Sequence, residues 1–358
     1  MRKHIETEGS SKFSGVERGD RQGSAFPAPD ANESVDRLGA VDSTAKQALD
    51  EGPTQYHSNS QQTLIFLHVP KTAGTTLNRI IDTHYNPLRI YSIPGAFRDW
   101  SIEKFKRLPE SRRLRIQVLR GHMGFGLHRY FPQQSKYLTI LREPVSRILS
   151  SYHYAASSRL HPLHKVVMAQ DFSLDRFLEL APWIHNLQCN LIGGMSMAAV
   201  RDGKAVEAAT RGDAAAAAEL SRLQCDEHVL SEAKANLQKH FSVVGLTEQF
   251  NESLALMVLK YGWAVPAYTS FRRSRSKRQK EPCATATRSR IEQLNAFDME
   301  LYDFGRGLFR AAVESRREEV EGILKTLQGA KRPGQLRALG GAAFAWSRFG
   351  LSVVRSGL

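Results

Sequence analysis

The chain has 358 residues, 41% of them hydrophobic, enough for one large α/β domain or two small ones with an ordinary buried core. Its formal net charge of +14 favours an anionic partner such as nucleic acid, anionic lipid, a nucleotide or a sulfated glycan, without choosing among them. The three cysteines, Cys189, Cys225 and Cys283, are far apart and form no CxxC pair, which excludes a disulfide framework and a cysteine-based zinc site. They read as reduced structural thiols of a cytosolic protein.

Residues 1–60 are rich in Ser, Gly, Asp, Glu and Gln and carry no apolar periodicity, so they read as a disordered N-terminal tail. The basic start is not followed by an apolar run, so it is no secretory signal, and no stretch has the apolar length of a membrane span. The composition changes at Thr63. TLIFLHV (63–69) reads as a buried strand, PKTAGTT as a turn, and a helix begins near Thr75 or Thr76. RIYSI (89–93) reads as a second strand and SIEKFKRL (101–108) as a helix. IQVLRGH (116–122) and YLTILR (137–142) are further apolar runs. Pro144 suits the first turn of a helix running through VSRILSSYHYAAS. Residues 172–240 read as mainly helical, with an alanine-rich piece at 213–223. SVVGL (242–246) is a late strand, 247–263 an amphipathic helix, and 288–328 one or two helices.

Strands alternating with helices predict an α/β fold: a P-loop NTPase-like, three-layer arrangement with a central, mostly parallel sheet flanked by helices. Ligands bind beyond the carboxyl ends of such strands. The expected organisation is a tail over 1–60, one domain over 61–330, and a basic, apolar segment over 331–358.

Two motifs carry chemistry. In His68-Val69-Pro70-Lys71-Thr72-Ala73-Gly74-Thr75-Thr76, small residues after a buried strand let backbone N–H groups at a helix start wrap an anion. Lys71 adds a full charge, and the threonine hydroxyls add donors. It is not a Walker A loop, because Lys71 precedes the glycine and the loop is shorter. In the second motif, Leu141 to Tyr152, Arg142 stands at a strand end. Ser150 follows eight residues on, about two helical turns, so an arginine fork and a hydroxyl can hold a second phosphate. Alone, this second motif also suits a structural ion pair.

Together, in this order and about 70 residues apart, the motifs resemble the 5′-phosphosulfate loop and 3′-phosphate site of sulfotransferases that use 3′-phosphoadenosine 5′-phosphosulfate (PAPS). HVPKTAGTT and LREPVSRILSSYHY look like the carbohydrate enzymes of the heparan sulfate 2-O- and 6-O-sulfotransferase group. RGHMGFGLHRYF, NLQKHFSVVGLTEQFNESLALMV and RIEQLNAFDMELYDFG extend the resemblance over roughly residues 63–310. It departs from the 2-O-type enzymes at His68, where they have arginine, and in lacking their paired cysteines. Animal Golgi enzymes with similar motifs carry a membrane anchor. Its lack here leads to the expectation of a cytoplasmic protein of bacterial type, at most peripheral to the membrane.

The resemblance implies sulfuryl transfer from PAPS to a carbohydrate or glycolipid hydroxyl, with no metal. It places Lys71 near the bridging oxygen of the phosphosulfate. The loop amides of 71–76, with Thr72, Ala73, Gly74, Thr75 and Thr76, take the 5′-phosphate, and Arg142 and Ser150 take the 3′-phosphate. His122, after a predicted strand and at the position of the family's catalytic histidine, is the candidate base, since imidazole titrates near neutrality. His68 and His128 are fallbacks. The basic run from Arg272 to Lys280 gives Arg273 and Lys277 as weaker nucleotide-binding candidates, beside the reading of a solvated basic loop. The segment 331–358 reads as a peripheral membrane contact, a part packed on the domain, or a dimer contact. Two other functions fit parts of the pattern: a P-loop kinase or NTPase-like nucleotide binder, and a noncatalytic binder of anionic polymers. No specific nucleic acid, no oligomeric state and no particular acceptor are assigned.

Overall fold

The structure, a computed structural model, describes residues 62–95, 98–159, 164, 173–194, 225–268 and 283–329. The tail over 1–60, the alanine-rich piece at 213–223, Arg273 and Lys277 with the rest of the basic run, and the segment 331–358 lie outside the described residues.

Among the described residues five strands form one sheet in the order β2-β3-β1-β4-β5, and each of their pairings is parallel. They are β1 (Thr63–Leu67), β2 (Ile90–Ile93), β3 (Val118–Gly121), β4 (Ser135–Leu141) and β5 (Phe241–Leu246). β1 lies at the centre because all five of its residues are apolar or tolerate burial, and all five are buried. A strand covered on both faces reads as such an unbroken run. Helices flank the sheet, giving the expected P-loop-like α/β architecture.

After β1 comes α1 (Gly74–His84), after β2 come α2 (Arg98–Lys106) and the one-turn α3 (Glu110–Arg113), and after β4 comes α4 (Pro144–Ser157). Next are α5 (Leu174–Leu180), α6 (Leu187–Gly193) and α7 (Glu227–His240), which leads into β5. The chain then runs through α8 (Phe250–Tyr261), α9 (Thr285–Leu294), α10 (Ala296–Glu314) and α11 (Arg317–Gly329). The stretch expected to hold one or two helices at 288–328 holds parts of three. The first break falls at Asn295, whose side chain accepts from the Asn186 backbone and donates to the Ile291 carbonyl.

From β1 the chain crosses to the edge strand β2 and returns to β3 beside β1, then passes over to β4 on the other side of β1 and outward to β5. The turn after β1 therefore sits where the winding reverses, the usual ligand crevice of such sheets. The main core joins Ile65, Phe66 and Leu67 to Leu119, Leu138, Ile140, Leu77 and Ile81. A second cluster under α4 joins Val145, Ile148 and Ala155 to Phe177, Leu178 and Ile291.

A fully buried ion pair stiffens the α4 side. Arg147 meets Asp298 of α10 at 3.4 Å, with both side chains inaccessible. Asp298 also accepts from the Cys189 and Gln188 backbone N–H groups. The cysteines are not all apart: Cys189 and Cys225 are buried with their Sγ atoms 2.8 Å from each other.

Candidate active site

The loop 68–73 leaves β1 between two neighbours, β3 on one side and β4 on the other. The first delivers His122 and the second Arg142, so topology alone brings both to the Lys71 loop.

The loop is tightly curled. Lys71 and Ala73 adopt left-handed backbone conformations, with φ 71° and 62°, at sites where neither is glycine. Such residues cost of order 1–3 kcal/mol each and concentrate at ligand clamps. The Thr72 hydroxyl is wholly buried and donates to the Val69 carbonyl at 2.8 Å, so it braces the turn from inside. Ala73 caps α1 without a side-chain hydrogen bond, and the first turn of α1 holds no carboxylate. Its positive end and leading N–H groups, at Gly74 and Thr75, thus lack the acidic compensation common at helix starts. Thr75 is half-buried, while Thr76 is nearly buried and its N–H bonds back to Ala73. The start of α4 is the opposite case: Glu143 accepts from the N–H groups of Val145 and Ser146, so its own carboxylate fills that end.

Arg142 reaches across to the loop. Its Nη1 donates to the Lys71 carbonyl at 3.0 Å, and its Nε is buried with no hydrogen-bond partner. Burial lowers its pKa, against the opposing pull of Glu248 and Glu143. Its backbone is clamped by Gln188 of α6, which accepts from the Arg142 N–H and donates to its carbonyl, both at 2.9 Å. The Lys71 ammonium lies over the Tyr154 ring, 4.1 Å from the centroid. Tyr154 is one turn beyond half-buried Ser150 on α4, so Ser150 is on the helix face that meets the loop. Lys71 therefore meets both Arg142 and the face of α4 that carries Tyr154, with Ser150 one turn before Tyr154 on that helix.

His122 stands on the other flank. Gly121 permits the approach: its φ is 140°, and a Cβ there would lie 2.0 Å from the Ile93 carbonyl oxygen. The His122 Nδ1 is 3.0 Å from the His68 carbonyl, and the two rings stack at 4.4 Å. A carbonyl only accepts, so Nδ1 carries the proton and Nε2 keeps its lone pair. Burial is the main cause that lowers the His122 pKa; the His68 bond opposes it, and the Arg98 charge reinforces it. The ring is thus neutral near pH 7 and suited to accept a proton.

The fallback histidines separate. His68 is buried between Phe66 and His122. His128 contacts the Tyr137 hydroxyl at 3.1 Å and packs near His240, both close to the amino ends of β4 and β5. That is the far edge of the sheet from the crevice, so His128 is not in the site. Gln188 and Tyr154 escaped sequence reading. A glutamine on a distant helix has no spacing signal, while Tyr154 could have been found four residues after Ser150.

Among curated proteins, the chain is 25% identical over 287 residues to galactose-3-O-sulfotransferase 2 of Homo sapiens, covering 75% of this chain and 66% of that protein. Galactose-3-O-sulfotransferase 3 is 27% identical over 301 residues in Homo sapiens and 26% over 300 in Bos taurus, each match covering 75% of this chain and 62% of the relative. The chain spans somewhat less than two thirds of these relatives' length. They correct the expected cytoplasmic placement. That placement rested on a missing anchor, and the matches are animal galactose sulfotransferases, the kind of enzyme that expectation had set apart. No helix among the described residues is long and apolar enough to cross a membrane. That concerns these helices alone and does not locate the protein. The sulfotransferase family pattern matches residues 54–305, well over half of the sequence, and the chain belongs to the sulfotransferase family.

Proposed function

We propose that this chain transfers a sulfuryl group from PAPS to a hydroxyl of a galactose-bearing carbohydrate. The observation that carries this is the meeting of Arg142, Lys71 and the Ser150 face of α4 around one curled loop. A half-buried guanidinium with a buried, unpartnered Nε and an uncompensated helix start fit the two phosphates of one adenosine bisphosphate. The choice of galactose draws on the names of the relatives. The narrower resemblance to heparan sulfate 2-O- and 6-O-enzymes makes glucosamine- and uronate-containing glycans the alternative acceptor class.

PAPS supplies a sulfuryl group already joined to a phosphate leaving group. In this reading the loop amides at Gly74 and Thr75, with Thr76, hold the 5′-phosphate. Thr72 and Ala73 set the curl of the loop, and Arg142 and Ser150 hold the 3′-phosphate. Lys71 brings its charge to the side where the leaving oxygen becomes negative. His122 Nε2 takes the acceptor proton, and its Nδ1–H bond to the His68 carbonyl fixes the tautomer that can do so. Arg273 and Lys277 remain proposed contacts to nucleotide or acceptor.

The test is calorimetric binding of 3′-phosphoadenosine 5′-phosphate, followed by labelled-sulfate transfer to galactose-terminated and heparan-type oligosaccharides. Binding, with transfer that Lys71→Ala and His122→Ala each reduce about 10²-fold or more, is expected. Absence of binding to this nucleotide, or tight binding of ATP with magnesium in its place, would end the reading.

A further inference from the structure

Cys189 lies on α6 and Cys225 two residues before α7 begins. Both are buried, at 0% and 6% exposure, and their Sγ atoms are 2.8 Å apart. That is about 0.8 Å beyond the roughly 2.05 Å of a disulfide, and inside ordinary sulfur–sulfur contact. The approach is not a single accidental touch. Four residues further along each segment, Gly193 meets Val229 so closely that a Cβ on the glycine would lie 2.7 Å from Val229 Cγ1 and 2.8 Å from its carbonyl oxygen. Asn236 of α7 donates to the Ile192 carbonyl of α6 at 2.9 Å. The two helices are therefore held together along their length, with the sulfur pair as one rung.

We infer that Cys189 and Cys225 form a disulfide that staples α6 to α7. Two S–H bonds are lost and one S–S bond forms. The two electrons and two protons pass to a disulfide oxidant of the glutathione class, which leaves as two thiols. The staple closes a long stretch of chain between residues 189 and 225, the situation in which a crosslink most restricts the unfolded state. It also fixes the helix that clamps Arg142, since Gln188 immediately precedes Cys189. In the dithiol form, the hydrogen bond to Cys225 and burial hold the Cys189 thiol protonated. Oxidation therefore runs during folding, or through an opened state, faster than in the closed protein.

The experiment uses the full chain, unsubstituted for the mapping. One sample is kept with oxidised glutathione, and a second is unfolded and refolded in a glutathione redox buffer. Both are then unfolded in an alkylating agent and mapped by peptide mass. The expected result in the refolded sample is a linked Cys189–Cys225 peptide, with Cys283 alone carrying the label or a glutathione adduct. Oxidised chain should also melt about 5–10 °C above reduced chain, a difference that Cys225→Ser abolishes. Three labelled cysteines after refolding, a lasting glutathione adduct on Cys189, or equal melting of the two forms would each overturn the staple. None of these readouts involves nucleotide or acceptor, so they stand apart from the proposed activity.

Discussion

Arg142 Nη1 donates to the Lys71 carbonyl oxygen at 3.0 Å, across 71 residues of sequence. The bond joins the end of β4 to the curled loop after β1, and it uses only one corner of the guanidinium. A lysine has no planar fork, so it could hold the loop or meet an anion, but not both in this geometry. Arg142→Lys is expected to weaken 3′-phosphoadenosine 5′-phosphate binding about 10- to 100-fold by calorimetry, the scale of a lost hydrogen bond to a charged group. Affinity unchanged in this variant would separate Arg142 from the nucleotide.

The His122 ring predicts the acid limb of the rate profile. Its folded pKa lies below the ordinary 6.5, chiefly through burial. At pH 7 the ring is neutral and Nε2 can accept a proton. As pH falls through the lowered pKa the ring gains a proton and the rate should drop tenfold per pH unit. His122→Ala should remove that limb and lower kcat about 10²–10⁴-fold while leaving nucleotide affinity within a few fold. A limb that survives the substitution would move the base elsewhere.

Much of this arrangement was legible in the sequence, for a reason. β1 and the motif loops are local features: an unbroken apolar run, a turn with small residues, a proline at a helix start. Each fixes its own neighbourhood, so the strand edge carrying Lys71, His122 and Arg142 followed from alternation of strands and helices. The contacts that complete the site are different in kind. Gln188 clamps Arg142 from 46 residues away, and Asp298 reaches Arg147 from another helix. Such partners are chosen by tertiary packing and leave no period or spacing to read. The cysteines show the same limit. A 36-residue separation without a CxxC pattern looked like isolated thiols, yet close packing of α6 and α7 makes Cys189 and Cys225 neighbours. His128 failed for the converse reason: it follows β3 in sequence, but the chain turns back along the sheet and leaves it at the wrong edge.

Acid should loosen the fold before the carboxylates titrate. His185 is held down to about 4 by burial first, then by the charges of Arg147 and Arg290. The pKa values of His122, His128 and His240 are also lowered, in each case mainly by burial. A histidine with a lowered folded pKa binds its proton more readily when unfolded, so stability falls as pH drops below about 6.5. The loss from His185 continues until its folded pKa near 4 is passed. Between pH 7 and 5, His185 alone should remove roughly 1.5–2 kcal/mol. Urea midpoints at the two pH values measure this, and His185→Gln should flatten the difference by about that amount. An equal fall in the variant would rule out His185 as its source.

Gly74 tests the stacked histidines. A Cβ there would lie 2.0 Å from both Cδ2 and Nε2 of His68, a separation no real contact tolerates. The His68 ring has little room to withdraw, because Phe66 lies 5.3 Å away on one side and His122 4.4 Å away on the other. Gly74→Ala should therefore push His68 against His122 and displace the His68 carbonyl that holds Nδ1. The expected cost is about 1–3 kcal/mol by chemical denaturation, the range for an overpacked interior, together with a lower kcat. His68→Ala removes the obstructing ring, so the double variant should lose less stability than the two single losses combined. Fully additive losses would mean that the glycine serves the loop backbone alone and that the ring above it is a bystander.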